Sequence, residues 1–265
     1  MDRKNQLGSI NWKIGLFIAA WSLFILPGIA GERFHSDQNW KVVWSDDFNG
    51  TKLDRTKWKR CPEWVRQGGG CRWDNGHSRL DGKGNLILEI SQTPKGVFSG
   101  AVRSKGLFEK KFGYFEIRCR VPVIKGGWCA FWMMPVGGVL EEAHGRNGTE
   151  IDIFESIFAE RGEVNQAVHW GGYGEHHKTA NHVVKNRSDL YTGFHTYGLY
   201  WGEDEYIFFI DGKEVWRTSA GGVMQTPAYL KISIEAADWA GKIGEEILPK
   251  QMQVDYVRVL ELVGE

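Results

Sequence analysis

The 265-residue chain lacks an excess of either charge: 33 Lys and Arg stand against 33 Asp and Glu. Such a balance gives no electrostatic grip on DNA, RNA or acidic lipid, so a neutral partner is the better expectation. Cysteine is scarce, with four residues, and no Cys-x-x-Cys or His/Cys spacing suggests zinc. Long helical stripes and internal repeats are missing too, which argues against a helical bundle, a coiled coil or a solenoid. The apolar run from Ile14 to Leu26 is too short for a comfortable membrane span.

That run has another reading. Arg3, Lys4 and Lys13 precede it, Pro27-Gly28 breaks it, and small residues surround Ala30, which is the layout of a secretory signal peptide. The expected division is therefore a leader over residues 1–30 and a single domain over 31–265, secreted or periplasmic, with an uncleaved anchor as the other reading. Export permits disulfides, and four cysteines allow three pairings. Cys61 and Cys71, which flank the loop "CPEWVRQGGGC", are the expected pair. Cys119 and Cys129 occupy inward strand positions, where buried thiols are at least as expected as a bridge. His176-His177 reads as a solvated loop pair, since adjacent residues rarely converge on one metal.

What the chain does have is tryptophan, 13 residues of it. A core can be built from aliphatics, so many indoles suggest flat platforms for a ligand, and sugar rings stack on such platforms. From residue 40 onward, short alternating segments are punctuated by Gly, Asn and Asp. "NLILEI", "YFEIRCRVPV", "YIFFIDGKEVW", "PAYLKISIEA" and "QVDYVRVLEL" read as strands, with a hairpin turn at Asp211-Gly212. The fold class implied is all-β, an antiparallel sandwich of two sheets. In "YFEIRCRV", Phe115, Ile117, Cys119 and Val121 face one way and Glu116, Arg118 and Arg120 the other. In "GGWCAFWMMP" the same alternation sets Cys129, Phe131 and Met133 toward the core and Trp128, Ala130 and Trp132 toward an open face, although packing on both sides of a covered sheet would also explain the indoles.

"NGTEIDIFES" places Glu150, Asp152 and Glu155 among Ile151, Ile153 and Phe154. Glu150 and Asp152 share a strand face, whereas Glu155 has the wrong parity. A β-bulge between Asp152 and Glu155 would restore it. Glu150 and Glu155 would then lie close enough for the carboxylate pair of a retaining glycosidase, in which one attacks the anomeric carbon and the other protonates the leaving oxygen. Asp152 between them discourages joint ionisation, so the set can hold a proton near neutrality.

"GYFEIRCRVP", "GGWCAFWMMP", "GTEIDIFE", "HW" at His169-Trp170, "FHTYGLYW", "FFIDG" and "DYVRVLEL" together resemble, in order, the motif series of glycoside hydrolase family 16, from about Val43 to Leu260. The resemblance implies a concanavalin-like jelly-roll sandwich whose concave sheet forms a polysaccharide cleft, cut endo-wise with retention and without a catalytic cofactor. It implies Glu150 as nucleophile, Asp152 as its assisting acid and Glu155 as acid/base. Trp128 and Trp132 match aromatic platforms, and His169 a histidine near the acid; Trp170, Glu235 and Trp239 are further candidates for sugar contacts. The residue inserted between Asp152 and Glu155 places the chain with the bulged laminarinase and agarase branch. "ISIEAADWAG" departs from the glucan-cleaving pattern, and Glu235 there is expected either to bind hydroxyls or to pair with a nearby arginine. Many relatives hold a structural calcium, for which Asp47 and Asp255 are the candidates. The leading substrate is a β-1,3- or mixed-linkage glucan, then a β-galactan such as agar, with a non-catalytic glycan-binding sandwich as the alternative class.

Overall fold

A computed structural model describes residues 39–66, 70–243 and 248–263; the expected leader lies outside the described residues. Among these residues there is no α-helix, and the chain is built from seventeen strands joined by loops and short 3₁₀ turns. Ten strands form the outer sheet: β1 (Trp40–Asp46), β3 (Arg72–Trp73), β4 (Ser78–Leu80), β5 (Leu86–Thr93), β6 (Gly96–Ser99), β8 (Gly113–Arg120), β13 (His195–Trp201), β14 (Tyr206–Ile210), β15 (Lys213–Thr218) and β17 (Lys250–Leu262). Seven form the inner sheet: β2 (Lys59–Arg60), β7 (Ala101–Arg103), β9 (Gly127–Pro135), β10 (Glu150–Glu155), β11 (Val164–Trp170), β12 (Lys178–Val184) and β16 (Ala228–Ala236). The inner order is β12-β11-β10-β9-β16-β7-β2, so strands distant in sequence are neighbours in space. Except for the short β3–β6 pair, the pairings are antiparallel. This is the all-β, two-sheet sandwich expected.

Alternation explains the packing. Phe115, Ile117 and Cys119 of β8, and Cys129, Phe131 and Met133 of β9, enter one main core with Ile151, Ile153 and Phe154 of β10. Burying each of the larger side chains contributes about 1.5–3 kcal/mol. The hairpin between β14 and β15 turns at Asp211 (φ 51°) and Gly212 (φ 73°), the two left-handed residues that a two-residue turn needs to match strand twist.

The cysteines depart from expectation. All four are free thiols. Cys71 belongs to the main core, where its Sγ accepts hydrogen bonds from Ser99 Oγ and the Ala236 amide, whereas Cys61 packs in a smaller cluster with Trp73, Trp128 and Trp132. The intervening loop thus delivers the two sulfurs to different clusters. Cys119 and Cys129 are buried, as expected, and unbridged.

Candidate active site

The carboxylate row is set by a break in register. Against β11, Glu150 pairs with His169, Asp152 with Ala167 and Glu155 with Asn165, with a shift between Asp152 and Glu155. Against β9 the shift falls between Asp152 and Phe154, with Glu155 opposite Ala130. One extra residue on β10 reverses the parity of everything after it. Glu155 therefore shares the inner-sheet face of Glu150 and Asp152, while Ile151, Ile153 and Phe154 stay in the core.

The three acids line an open cleft of about 420 Å³ with Trp128, Trp132, His169, Tyr173, Glu235 and Trp239 among its walls. A larger depression of about 670 Å³ lies around Trp40, Lys110 and Tyr200 and contains none of these groups, so chemistry rather than size picks out the inner-sheet cleft.

Burial, then the neighbouring Glu150 and Glu235 charges, raises the Asp152 carboxyl well above the ordinary range, opposed by Lys231 and Arg66. Glu155 is also raised, first by burial and then by Asp152, with the Asn165 hydrogen bond and His169 working the other way. Asn165 Nδ2 donates to Glu155 at 3.0 Å, and Asn165 Oδ1 in turn accepts from Asn181 Nδ2 at 3.1 Å. His169 Nε2 lies 3.2 Å from Asp152 Oδ2, and its Nδ1 lies 3.1 Å from His177 Nε2. Two adjacent acids that favour protonation give the site a proton to lend, which general acid catalysis requires.

The aromatic candidates divide. Trp128 and Trp132 face the cleft but are only 2% and 9% exposed. Trp239 lies 4.7 Å from Trp128, ring centre to ring centre, and the Lys231 ammonium sits 3.5 Å above Trp132, whose Nε1 donates to Ser233. The exposed rings at the cleft are Trp239 (55%) and Tyr173 (59%). Trp170 is a correction: adjacent to His169 it has the opposite parity, and it packs on the main core, where Gly221 passes so close that a Cβ there would meet the indole at 2.4 Å.

Glu235 is buried and accepts from Arg66 Nε at 2.9 Å and from Ser233 Oγ at 2.7 Å, so the arginine pair expected as one of two roles is present. Arg66 also lies between Trp64 and Trp128, 4.6 and 5.3 Å from their ring centres. His177 is exposed, as expected, and it also lines the cleft and stacks on His169 with ring centres 5.2 Å apart. Residue-by-residue reading missed Tyr173, Arg66, Lys231 and Asn165. Lys231 was accessible, because it shares strand parity with Glu235; Arg66 and Tyr173 arrive on loops, where parity has no meaning.

The calcium candidates each face an arginine. Asp255 pairs with Arg118 Nη1 at 2.5 Å, and Asp47 lies 3.5 Å from Arg258 Nη2. Calcium needs several unneutralised oxygens at one point, and each of these carboxylates already faces a guanidinium. As placed here they do not fit that ion.

Comparison with known proteins accounts for the arrangement. A family model described as "Beta-porphyranase A-D, GH16 domain" matches residues 40–262. A β-glucanase of Rhodothermus marinus is 27% identical, covering 92% of this chain and 94% of its own. A keratan-sulfate endo-1,4-β-galactosidase of Sphingobacterium multivorum is 28% identical over 84% of this chain and 56% of its own. A solved structure from work on endo-acting O-glycanases of the human gut microbiota superposes with a TM-score of 0.72 at 26% identity, covering 84% and 91% of the two chains. With the bulged carboxylate row and the two-sheet sandwich, the match over most of the chain shows that this protein belongs to glycoside hydrolase family 16 and is a glycoside hydrolase.

Proposed function

We propose that the protein is an endo-acting, retaining hydrolase of a β-linked galactan that carries anionic substituents. The observation behind the retaining mechanism is the β10 bulge, which puts Glu150 and Glu155 on one face with Asp152 between them. In the first step a Glu150 oxygen bonds to the anomeric carbon as the glycosidic C–O bond breaks, and Glu155 gives its proton to the departing oxygen. In the second step Glu155 takes a proton from water, whose oxygen displaces Glu150 from the same carbon, so two inversions leave the configuration retained. The raised Glu155 carboxyl supports its part as the initial acid. Asp152, raised by burial and by Glu150, is the group through which the charge of the row is shared.

The cleft-side face of the inner sheet supports the choice of galactan over glucan. Register carries one face from Asp152 through Trp132 to Lys231, Arg103 and Lys59 on successive strands. Lys231 is 8% exposed, has no carboxylate within salt-bridge distance among the described residues, and rests on Trp132 and Trp73. Arg103 opposite it has a buried Nε without a hydrogen-bond partner. Like charges directly across a sheet are unfavourable, and buried cations normally have partners. A sulfate or carboxylate on the sugar would supply one. The names of the matched porphyranase family and of the keratan-sulfate galactosidase point the same way.

The test is hydrolysis of porphyran, agarose, keratan sulfate, laminarin and lichenan, with NMR of the newly formed anomer. The expected result is cleavage of a sulfated galactan in preference to the neutral glucans, with the β-anomer appearing first and Glu150→Gln reducing turnover by at least a thousandfold. Preferred cleavage of laminarin would overturn the galactan reading, and first appearance of the α-anomer would overturn retention.

A further inference from the structure

Tyr173 is the most exposed large aromatic of the cleft, yet its hydroxyl donates a hydrogen bond to Glu150. It comes from the loop of residues 171–177 that joins β11 to β12. The loop cannot be shaped by ordinary residues at its start: Gly171 and Gly172 have φ of 76° and 70°, and a Cβ on either would meet His176 O at 2.2 Å or Glu141 Cγ at 2.5 Å. The two glycines fold the loop back over the end of β10. There Tyr173, His177 and His169 follow one another, with ring centres 5.9 and 5.2 Å apart. His169 ends the series against Asp152. One loop thus touches the acid row at both Glu150 and, through His169, Asp152.

We propose that Tyr173 is the positioning residue of the nucleophile: its hydroxyl holds the Glu150 carboxylate in the orientation needed for attack. This rests on the assignment of Glu150 as nucleophile. A phenol can only donate to a carboxylate acceptor while remaining neutral itself; although the ring is exposed, desolvation of its hydroxyl end against Glu150, then the Glu150 charge, pushes the Tyr173 phenol above its usual range, so it keeps its proton under working conditions. The other titratable or charged groups facing Glu150 are Asp152 and Glu155 of its own strand, His169 on β11, His177 in the loop, and Tyr229 and Lys231 on β16. Tyr173 makes the hydrogen bond to Glu150 found among the described residues. Removing it leaves the Glu150 carboxylate without that donor. Such a group turns more freely, and a misaligned nucleophile slows the first displacement.

Tyr173→Phe keeps the ring and removes the donor, and the exposed position makes loss of folding a minor concern, checked by an unchanged melting temperature. The expected result is a kcat lower by roughly 10- to 100-fold, the loss of a hydrogen bond to a charged group, with a KM within about threefold of the parent. A change in KM alone, with kcat within about twofold of the parent, would make Tyr173 a sugar platform and overturn the inference. Glu150→Gln is measured alongside. Substantial turnover in that variant would overturn the nucleophile assignment and this inference together, whereas an inactive Glu150→Gln beside a Tyr173→Phe with the parental kcat would overturn this inference alone.

Discussion

On one side of Asp152 the cleft-side face of the inner sheet runs in unbroken register through Trp132, Lys231 and Arg103; on the other it passes through His169 to a glycine-shaped loop bearing Tyr173 and His177. The first flank is made by strands whose side chains are fixed by pleat and register. Lys231 is buried there and is held by two indoles, and Arg103 opposite it is half-buried. The second flank is made of rings stacked edge to edge of the cleft, with an exposed tyrosine at the tip. A buried cation with no salt-bridge partner among the described residues suits recognition of a ligand charge, and an exposed donor on a loop suits adjustment of a reacting group. On the function proposed above, the two flanks would divide the labour of the site, one reading the substrate and the other tending the nucleophile.

That division can be broken most sharply at Lys231. Lys231→Met keeps the stem on Trp132 and Trp73 and removes the charge. The ratio of kcat/KM for a sulfated galactan over its desulfated form is expected to fall roughly 10- to 100-fold, the scale of a charge-assisted contact, and Tyr173→Phe should leave the same ratio within about twofold. Paired kinetics on the two polymers measure this. Equal losses from both variants would mean that the flanks act as one unit. A smaller effect is expected at Glu235, which anchors Arg66 over Trp128 at the register flank. Glu235→Gln leaves that guanidinium without its counter-charge. A fully buried pair would cost about 3–5 kcal/mol when halved, but the Arg66 side chain retains 27% exposure, and screening reduces the expected loss of stability to about 1–2 kcal/mol, measurable by urea denaturation.

The same contrast decides what could be read from the sequence. Parity along β8, β9 and β10 placed Phe115, Phe131 and Ile153 in the core and Trp128, Trp132 and Glu150 on the cleft face, because a strand alternates strictly. The bulge was legible because Glu155 made chemical sense only on the other face. Parity alone should also have excluded Trp170, the neighbour of His169, from the cleft. It could not reveal that Trp128 and Trp132 are largely covered, since their covers, Trp239 and Lys231, come from a distant segment. Arg66, Tyr173 and His177 were illegible for a plainer reason: the path of a loop depends on backbone angles and tertiary contacts that local alternation does not encode. Cys61 and Cys71 belong with them, since proximity in sequence said nothing about which cluster each sulfur would enter.

The smallest expected effect separates the flanks at the acids themselves. Asp152 and Glu155 both have folded-state carboxyls raised above the ordinary value, by burial first. An acid raised in this way binds its proton more tightly in the folded chain, so it weakens the fold progressively as pH climbs above the ordinary carboxylate range of about 4. Asp152→Asn and Glu155→Gln are therefore each expected to raise the melting temperature by a few degrees at pH 7, where roughly 2–4 °C corresponds to 1 kcal/mol, and to have little effect near pH 4. The opposing influences differ between the two. Lys231 and Arg66, on the register side, hold Asp152 down, whereas Asn165 and His169, on the β11 side, hold Glu155 down. Adding Lys231→Met should then enlarge the neutral-pH gain from Asp152→Asn and leave that from Glu155→Gln unchanged. Thermal melts of the two single and two double variants at both pH values, referred to Lys231→Met alone, test it. An equal enlargement in both would show that the charge of the register flank spreads along the whole acid row, and the two-flank description would fail at the residues where it matters most.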